Sequence, residues 1–141
     1  MAMRYGKTAQ NAVAVVSLLA QHYHDPEARF TSIEIAHTRN LSKPLVAKLL
    51  STLSTVGYID GTPGRNGGYK LTTPPEDISL YDIVILFEQV DTEHIQCPFG
   101  PNWCGNGPQC PLHDRLEKMR EEFETFLKET TLDVFEPPMF S

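Results

Sequence analysis

Apolar residues near the start of the chain recur at the spacing of one helix face. The positions that share this spacing are Ala12, Val13, Val16, Leu19, Ala20 and Tyr23. The spacing predicts a core helix. Arg4 and Lys7 in front of the apolar run are also typical of a short signal peptide. Ser17 interrupts the run, however, and no clear small-x-small cleavage site follows, so we favour the core helix.

Two shorter helices are predicted next, joined by a short turn. Thr31 and Glu34 are spaced as a capping box, which sets the start of the first helix, and we expect it to run to about Thr38. Residues 40–41 form the turn, and Ser42 is placed to cap the second helix. Two helices with so short a connection are typical of a helix-turn-helix.

The second helix has two different faces. The apolar face, expected in the core, carries Val46, Leu49, Leu50 and Leu53. The other face and the helix start carry small or basic groups that can contact phosphates or base edges: Ser42, Lys43, Pro44, Ala47, Lys48, Ser51 and Thr52. We interpret this face as a DNA-binding surface, and a merely solvated face is the alternative.

A β-hairpin is predicted directly after this helix. Gly57 ends the helix, residues 58–59 start one strand, residues 63–68 turn, and residues 69–71 form the second strand. The glycine-rich tip carries Arg65 and Asn66, and Arg65 can approach a phosphate backbone or a narrow minor groove. The order of helix, turn, helix and hairpin is typical of a winged helix-turn-helix.

The C-terminal half is predicted to contain one short and one long helix. Ser79 can cap the short helix, whose apolar residues are Leu80, Ile83, Val84 and Phe87. The long helix has an apolar seam of Leu112, Leu116, Met119, Phe123 and Phe126. We favour a dimer contact through Leu116, Met119, Phe123 and Phe126 over packing within one chain.

These patterns together predict a mainly α fold with a small β-hairpin. Residues 1–75 are expected to form the winged helix-turn-helix domain. Residues 76–141 are expected to hold a short helix, a cysteine loop and a long dimerisation helix. The length of 141 residues and the apolar content of 40% fit a globular chain with a real core.

The net charge of -6 argues against binding nucleic acid by bulk charge, so any DNA contact needs a local basic face. No stretch is long enough to span a membrane, and we expect a cytoplasmic protein.

The candidate chemistry is concentrated in one segment, which holds Cys97, Cys104, Cys110 and His113. Thiolates with an imidazole select zinc or an iron-sulfur cluster over hard cations. A disulfide framework is not favoured, because three cysteines cannot all pair within one chain. A catalytic Cys/His pair is not favoured either, because the segment offers no obvious partner to orient the pair. Structural zinc remains an alternative. The gaps of six and five residues between the cysteines are wider than usual zinc hooks and favour a larger inorganic centre.

With the wing and the cysteine segment in place, the chain resembles the winged-helix iron-sulfur regulators typified by IscR, NsrR and RirA. The resemblance covers about residues 3–135. Its motifs are Met3-Arg4 with the following helix, PGRNGGYKL from Pro63 to Leu71, PPEDISLYDIV from Pro74 to Val84, the three cysteines, and Thr130-Thr131-Leu132. The resemblance implies a homodimeric bacterial transcription factor whose cluster state sets its affinity for operator DNA.

The resemblance also assigns ligands. Cys97, Cys104 and Cys110 fall on the three cluster cysteines of the family, and His113 falls on the IscR-like histidine. NsrR-type proteins bring an acidic residue from the first helix as fourth ligand, where this chain has Gln10. Because an amide is a poor cluster ligand, the sequence favours His113 as the fourth ligand. It therefore favours an IscR-like [2Fe-2S] centre over the alternative, an NsrR-like [4Fe-4S] centre.

Three departures from the family pattern stand out. The first cysteine gap is one residue longer than is usual in IscR, Pro63 replaces a frequent arginine, and Ala47 replaces an acidic residue of IscR. The operator sequence is therefore not inherited from the resemblance.

We therefore predict a transcriptional regulator rather than an enzyme. It would bind double-stranded operator DNA as a homodimer and sense iron-sulfur supply, iron, nitric oxide or redox stress through its cluster. One alternative is a zinc-stabilised or thiol-redox DNA-binding regulator. A second alternative is a small redox enzyme or cluster carrier, which would need no DNA-recognition surface.

Overall fold

The computed structural model describes residues 6–64, 67–88 and 111–137. These ranges contain five α-helices, two 3-10 helices and one two-stranded antiparallel sheet. In chain order the elements are α1 (Lys7–Gln21), α2 (Ser32–Arg39), α3 (Lys43–Thr55), β1 (Ile59–Thr62), β2 (Gly68–Leu71), η1 (Pro75–Asp77), α4 (Leu80–Phe87), α5 (His113–Glu129) and η2 (Leu132–Phe135). The prediction of a mainly helical chain with a small β-hairpin is confirmed.

Helix α1 lies at the centre of the packing. It contacts α2, β2, α4 and η2. Most of its second half is buried, and Val16 and Ala20 are fully inaccessible to solvent. Val13 and Tyr23 are partly buried and pack against the same core. The predicted core helix is therefore confirmed.

One hydrophobic cluster joins the N-terminal and C-terminal parts of the chain. It contains Val16 and Leu50 from the first three helices together with Ile83, Leu127 and Leu132. Backbone hydrogen bonds add to this packing, since the Leu80 N–H donates to the Thr130 carbonyl at 2.8 Å. The division into residues 1–75 and 76–141 remains a prediction, and the shared core packs the two parts against each other.

The helix starts follow their predicted caps. Thr31 Oγ1 accepts from the Glu34 N–H at 3.1 Å, and the Glu34 carboxylate accepts from the Thr31 N–H at 3.0 Å. Ser42 Oγ accepts from the Leu45 N–H at 3.4 Å. Helix α2 ends at Arg39, one residue later than expected, because Asn40 in the left-handed region (φ 55°) makes the turn.

The hairpin is held to the segment before α2. Strand β1 pairs with β2 in a register that places Ile59 opposite Leu71. The Tyr69 N–H donates to the Phe30 carbonyl at 2.7 Å, and the Phe30 N–H donates to the Tyr69 carbonyl at 3.1 Å. Gly68 (φ 139°) lies beside this bridge, and a Cβ there would lie 2.8 Å from the Phe30 backbone. Glycine is thus required where the wing meets Phe30.

Candidate nucleic-acid interface and metal-binding segment

Helix α3 buries one face and leaves the other open. Val46, Leu49, Leu50 and Leu53 are each no more than 1% exposed, as predicted. Because a helix turns about 100° per residue, Pro44, Lys48 and Ser51 fall on the opposite side. These three residues are exposed. The core contacts of α3 therefore fix which side is available to a partner.

The open side of α3 is the basic surface that the sequence predicts. Ser42, Lys43, Pro44, Ala47, Lys48 and Ser51 are all exposed, and Thr52 is partly exposed. Helix α3 carries two lysines and no acidic residue, although the whole chain has a net charge of -6. Such a surface can lie against a phosphate backbone without carboxylate repulsion.

An arginine that the sequence patterns did not single out holds the helix-turn-helix against α1. Arg39 Nε donates to the Ala14 carbonyl at 2.8 Å, and its Nη2 donates to Ser17 Oγ at 3.0 Å. At the turn, the Leu41 N–H donates to the Ala36 carbonyl at 2.9 Å. The partners of Arg39 lie on another helix, so local periodicity carries no signal for this contact.

The wing follows α3 directly, and β1 packs against that helix. Arg65 and Asn66 lie outside the described residues. At the base of the hairpin, burial and then the negative charge of Asp82 raise the pKa of Tyr58 above its ordinary value. The Tyr58 phenol therefore stays neutral well above physiological pH.

The predicted metal ligands are only partly within the described structure. Cys97, Cys104 and Cys110 lie outside the described residues. His113 is the first residue of α5, and its side chain is 16% exposed. Its Nε2 lies 3.0 Å from Oε2 of Glu117, one helical turn later. Within residues 6–64, 67–88 and 111–137, no group of three or more His, Cys, Asp or Glu side chains could hold a metal ion.

The donor chemistry of the segment nevertheless fits a soft metal centre. An imidazole whose other nitrogen meets a carboxylate is the arrangement that supports metal-bound histidines in general. His113 has such a carboxylate in Glu117. The structure therefore places one predicted ligand, with a suitable supporting group, three residues after Cys110.

The apolar seam of α5 divides between core and surface. Leu127, which was not part of the predicted seam, is buried at 2% exposure, and Phe123 packs against the core. Met119 and Phe126 remain 63% and 51% exposed. Leu116 is partly buried. The seam thus has an intrachain side and an open side in the single chain.

Helices α2 and α3 with the β1–β2 hairpin form a winged helix-turn-helix, which is the architecture of winged-helix transcriptional regulators. The family model of Rrf2, described as iron-dependent transcriptional regulators, matches residues 5–135. The chain belongs to this family. None of the described helices is long and apolar enough to cross a membrane.

Individual relatives agree with this assignment. A protein of Aquifex aeolicus (strain VF5), provisionally named an HTH-type transcriptional regulator, is 29% identical over 101 residues, which are 70% of this chain and 69% of that protein.

Three solved structures share the fold. Staphylococcus aureus CymR superimposes with a TM-score of 0.73 at 26% identity, over 96% of this chain and 100% of CymR. T. potens IscR superimposes with a TM-score of 0.68 at 24% identity, over 93% of this chain and 85% of IscR. An oxidized form of S. aureus CymR gives a TM-score of 0.72 at 25% identity, over 99% of this chain and 100% of that chain.

Proposed function

We propose that this protein is a homodimeric bacterial regulator that binds operator DNA through α3 and the wing. The observation that carries the proposal is the exposed side of α3, where Lys43 and Lys48 stand without any acidic neighbour in the helix. The glycine-rich wing comes next in the chain and is joined to the segment before α2. A helix and a wing in this order suit a major groove and the adjacent backbone.

The dimer would form through the open side of α5. Met119 and Phe126 are large apolar side chains that are more than half exposed in the single chain. Large exposed apolar side chains grouped along one helix are typical of protein interfaces. In a twofold dimer that binds two successive major grooves, the two copies of α3 would have to lie about one DNA turn apart.

The regulatory input is proposed to be an iron-sulfur cluster held by Cys97, Cys104 and Cys110, with His113 as fourth ligand. The thiolates and imidazole supply soft donors, and such a cluster supplies redox and iron-sensitive chemistry when bound. The description of the family as iron-dependent supports this proposal. The ligand set favours a [2Fe-2S] centre over a [4Fe-4S] centre.

Contacts at the border of the cysteine segment offer a route from that segment to α3. Glu88, at the end of α4, accepts a hydrogen bond from the Gly6 N–H at 2.7 Å, just before α1 begins. Arg39 then ties α1 to α2. A change that shifts α4 or α5 would therefore be passed through α1 to the helix-turn-helix, which is a physical basis for allosteric coupling.

The test compares the parent with Cys97→Ala, Cys104→Ala, Cys110→Ala and His113→Ala, all purified without oxygen. We expect a brown parent, colourless cysteine variants that still fold, and a labile, spectrally shifted centre in His113→Ala. Operator affinity should change with cluster content. A cysteine variant that keeps the full cluster, or colourless variants that bind every operator like the loaded parent, would overturn the sensing mechanism.

A thiol-redox or zinc-stabilised regulator is the second candidate. The likeness to S. aureus CymR, for which an oxidized form is also known, favours keeping it. A colourless parent with bound zinc, or one whose DNA affinity follows thiol oxidation without iron, would select this candidate. A small redox enzyme or cluster carrier would be indicated by a coloured parent that binds no promoter DNA.

A further inference from the structure

His113 and Glu117 form a pair at the border of the cysteine segment. The His113 Nε2 and a Glu117 carboxylate oxygen are 3.0 Å apart, across one turn of α5. The His113 side chain is largely buried at 16% exposure, although it occupies the first position of the helix. The Glu117 side chain is 43% exposed. The pair therefore joins a largely buried imidazole to a carboxylate that is still open to solvent.

The pair determines which ring nitrogen is available to a ligand. A neutral imidazole carries one hydrogen, and its other nitrogen presents a lone pair. Because the Glu117 carboxylate can only accept, the nitrogen facing it must be the one that carries the hydrogen. Nε2 is then protonated, and Nδ1 keeps the lone pair with which a histidine binds a metal.

His113 is the residue of α5 that lies nearest to the cysteine segment in the sequence. Side chains on a helix lean towards its N-terminus, so the ring of the first residue is displaced towards the preceding chain. Cys110 lies three residues earlier in that chain. Glu117, one turn later, lies behind the ring. A carboxylate behind a metal-bound histidine fixes the ring orientation and raises the basicity of the ligating nitrogen.

We propose that Glu117 is a positioning residue that holds the His113 imidazole with its hydrogen on Nε2 and leaves Nδ1 as the ligating nitrogen of the cluster. This inference rests on the proposed function. Glu117 itself does not touch the cluster and acts only through His113.

The test uses the full-length protein loaded with its cluster and purified without oxygen. The variants are Glu117→Ala, Glu117→Gln, His113→Ala and the double variant Glu117→Ala with His113→Ala. Glu121→Gln is the matched control, since it removes one carboxylate charge from an exposed position on the same helix. The readouts are the rate of cluster loss to an iron chelator and the visible and electron paramagnetic resonance spectra.

We expect Glu117→Ala to lose the cluster about 10-fold faster or more, with shifted spectra, as is usual when the carboxylate behind a metal-bound histidine is removed. Glu117→Gln should lose the cluster at a rate between those of the parent and Glu117→Ala, because its amide oxygen can still accept a hydrogen bond from Nε2. Glu121→Gln should match the parent. The double variant should match His113→Ala, since Glu117 has no effect once the imidazole is gone.

A second readout does not require the cluster. In cluster-free protein labelled with 15N-histidine, nuclear magnetic resonance should place the hydrogen of the neutral His113 ring on Nε2 in the parent. In Glu117→Ala the hydrogen should exchange between Nε2 and Nδ1. Circular dichroism checks that each variant folds.

Three results distinguish a failure of the Glu117 inference from a failure of the proposed sensing function. A coloured parent whose spectra and cluster stability are unchanged in Glu117→Ala overturns this inference and leaves the proposed function standing. A double variant weaker than His113→Ala overturns it as well, because Glu117 would then act on the cluster directly. A parent that takes up no cluster overturns the sensing function and this inference with it.

Discussion

Replacing Lys48 by alanine should weaken DNA binding and reduce its dependence on salt. Lys48 is exposed near the middle of α3, opposite the buried Leu50. Alanine is the best helix former, so the helix itself should not suffer. Each phosphate neutralised contributes about 0.9 to the slope of log affinity against log salt. A homodimer presents Lys48 twice, and the slope should therefore fall by about 1.8.

The size of this effect makes it measurable. Between roughly 50 and 200 mM salt, a slope difference of about 1.8 changes the ratio of parent to variant affinity by about tenfold. Fluorescence anisotropy with a duplex selected by the parent from a random pool gives the affinity at each salt concentration. A duplex of unrelated sequence measures the same charge effect without base recognition.

Lys128→Ala serves as the control, because it also removes one positive charge. Lys128 lies on α5 and not on α3, and it pairs with Glu124 and sits over the Tyr81 ring. Its slope should equal that of the parent. If Lys48→Ala has the parental slope, or if both lysine variants lower it equally, then α3 is not the surface that meets the phosphates.

Three further changes test the packing of the winged helix-turn-helix and the proposed dimer contact. Gly68→Ala forces a side chain into φ 139° against the Phe30 backbone, and it should cost about 3 kcal/mol and lower the thermal midpoint. Gly57→Ala is also strained, at φ 88°, but it has open space around it and should cost less. Arg39→Ala removes two hydrogen bonds from a charged donor and should cost about 2 kcal/mol in urea unfolding; a loss no larger than that of the exposed Lys43→Ala would contradict the role of Arg39. Met119→Glu should leave the fold intact but weaken the dimer by about 3 kcal/mol or more, or more than about 100-fold, in sedimentation; an unchanged dimer would show that α5 pairs elsewhere.

Much of the fold could be predicted because its signals are local. Thr31 and Glu34 are three residues apart, and the side chains that make α3 amphipathic lie within two turns. Both features depend on short-range geometry, so the sequence shows them directly. The glycine-rich turn was predicted over residues 63–68 from the same kind of local signal, although Gly68 is the first residue of β2 in the structure.

Other features depend on contacts between distant residues and leave no periodic trace. Arg39 finds its acceptors on α1, and Glu88 finds the Gly6 N–H across 82 residues. The seam of α5 was only partly predicted, because a helix pattern gives an apolar stripe without saying what covers it. Leu127 meets the chain's own core, while Met119 stays open. The cysteine ligands stay a prediction, since they rest on donor chemistry, spacing and family resemblance, and the three cysteines lie outside the described residues.

The central position of α1 has a consequence for how the protein is made. Helix α1 is synthesised before α4 and η2, yet it packs against both, and Leu132 of η2 belongs to the same core. At about 5–20 residues per second, the ribosome needs roughly 6–22 s to proceed from the end of α1 to Leu132. During this interval the apolar face of α1 lacks its final cover, and a nascent chain arrested before residue 132 should be cleaved by protease within α1.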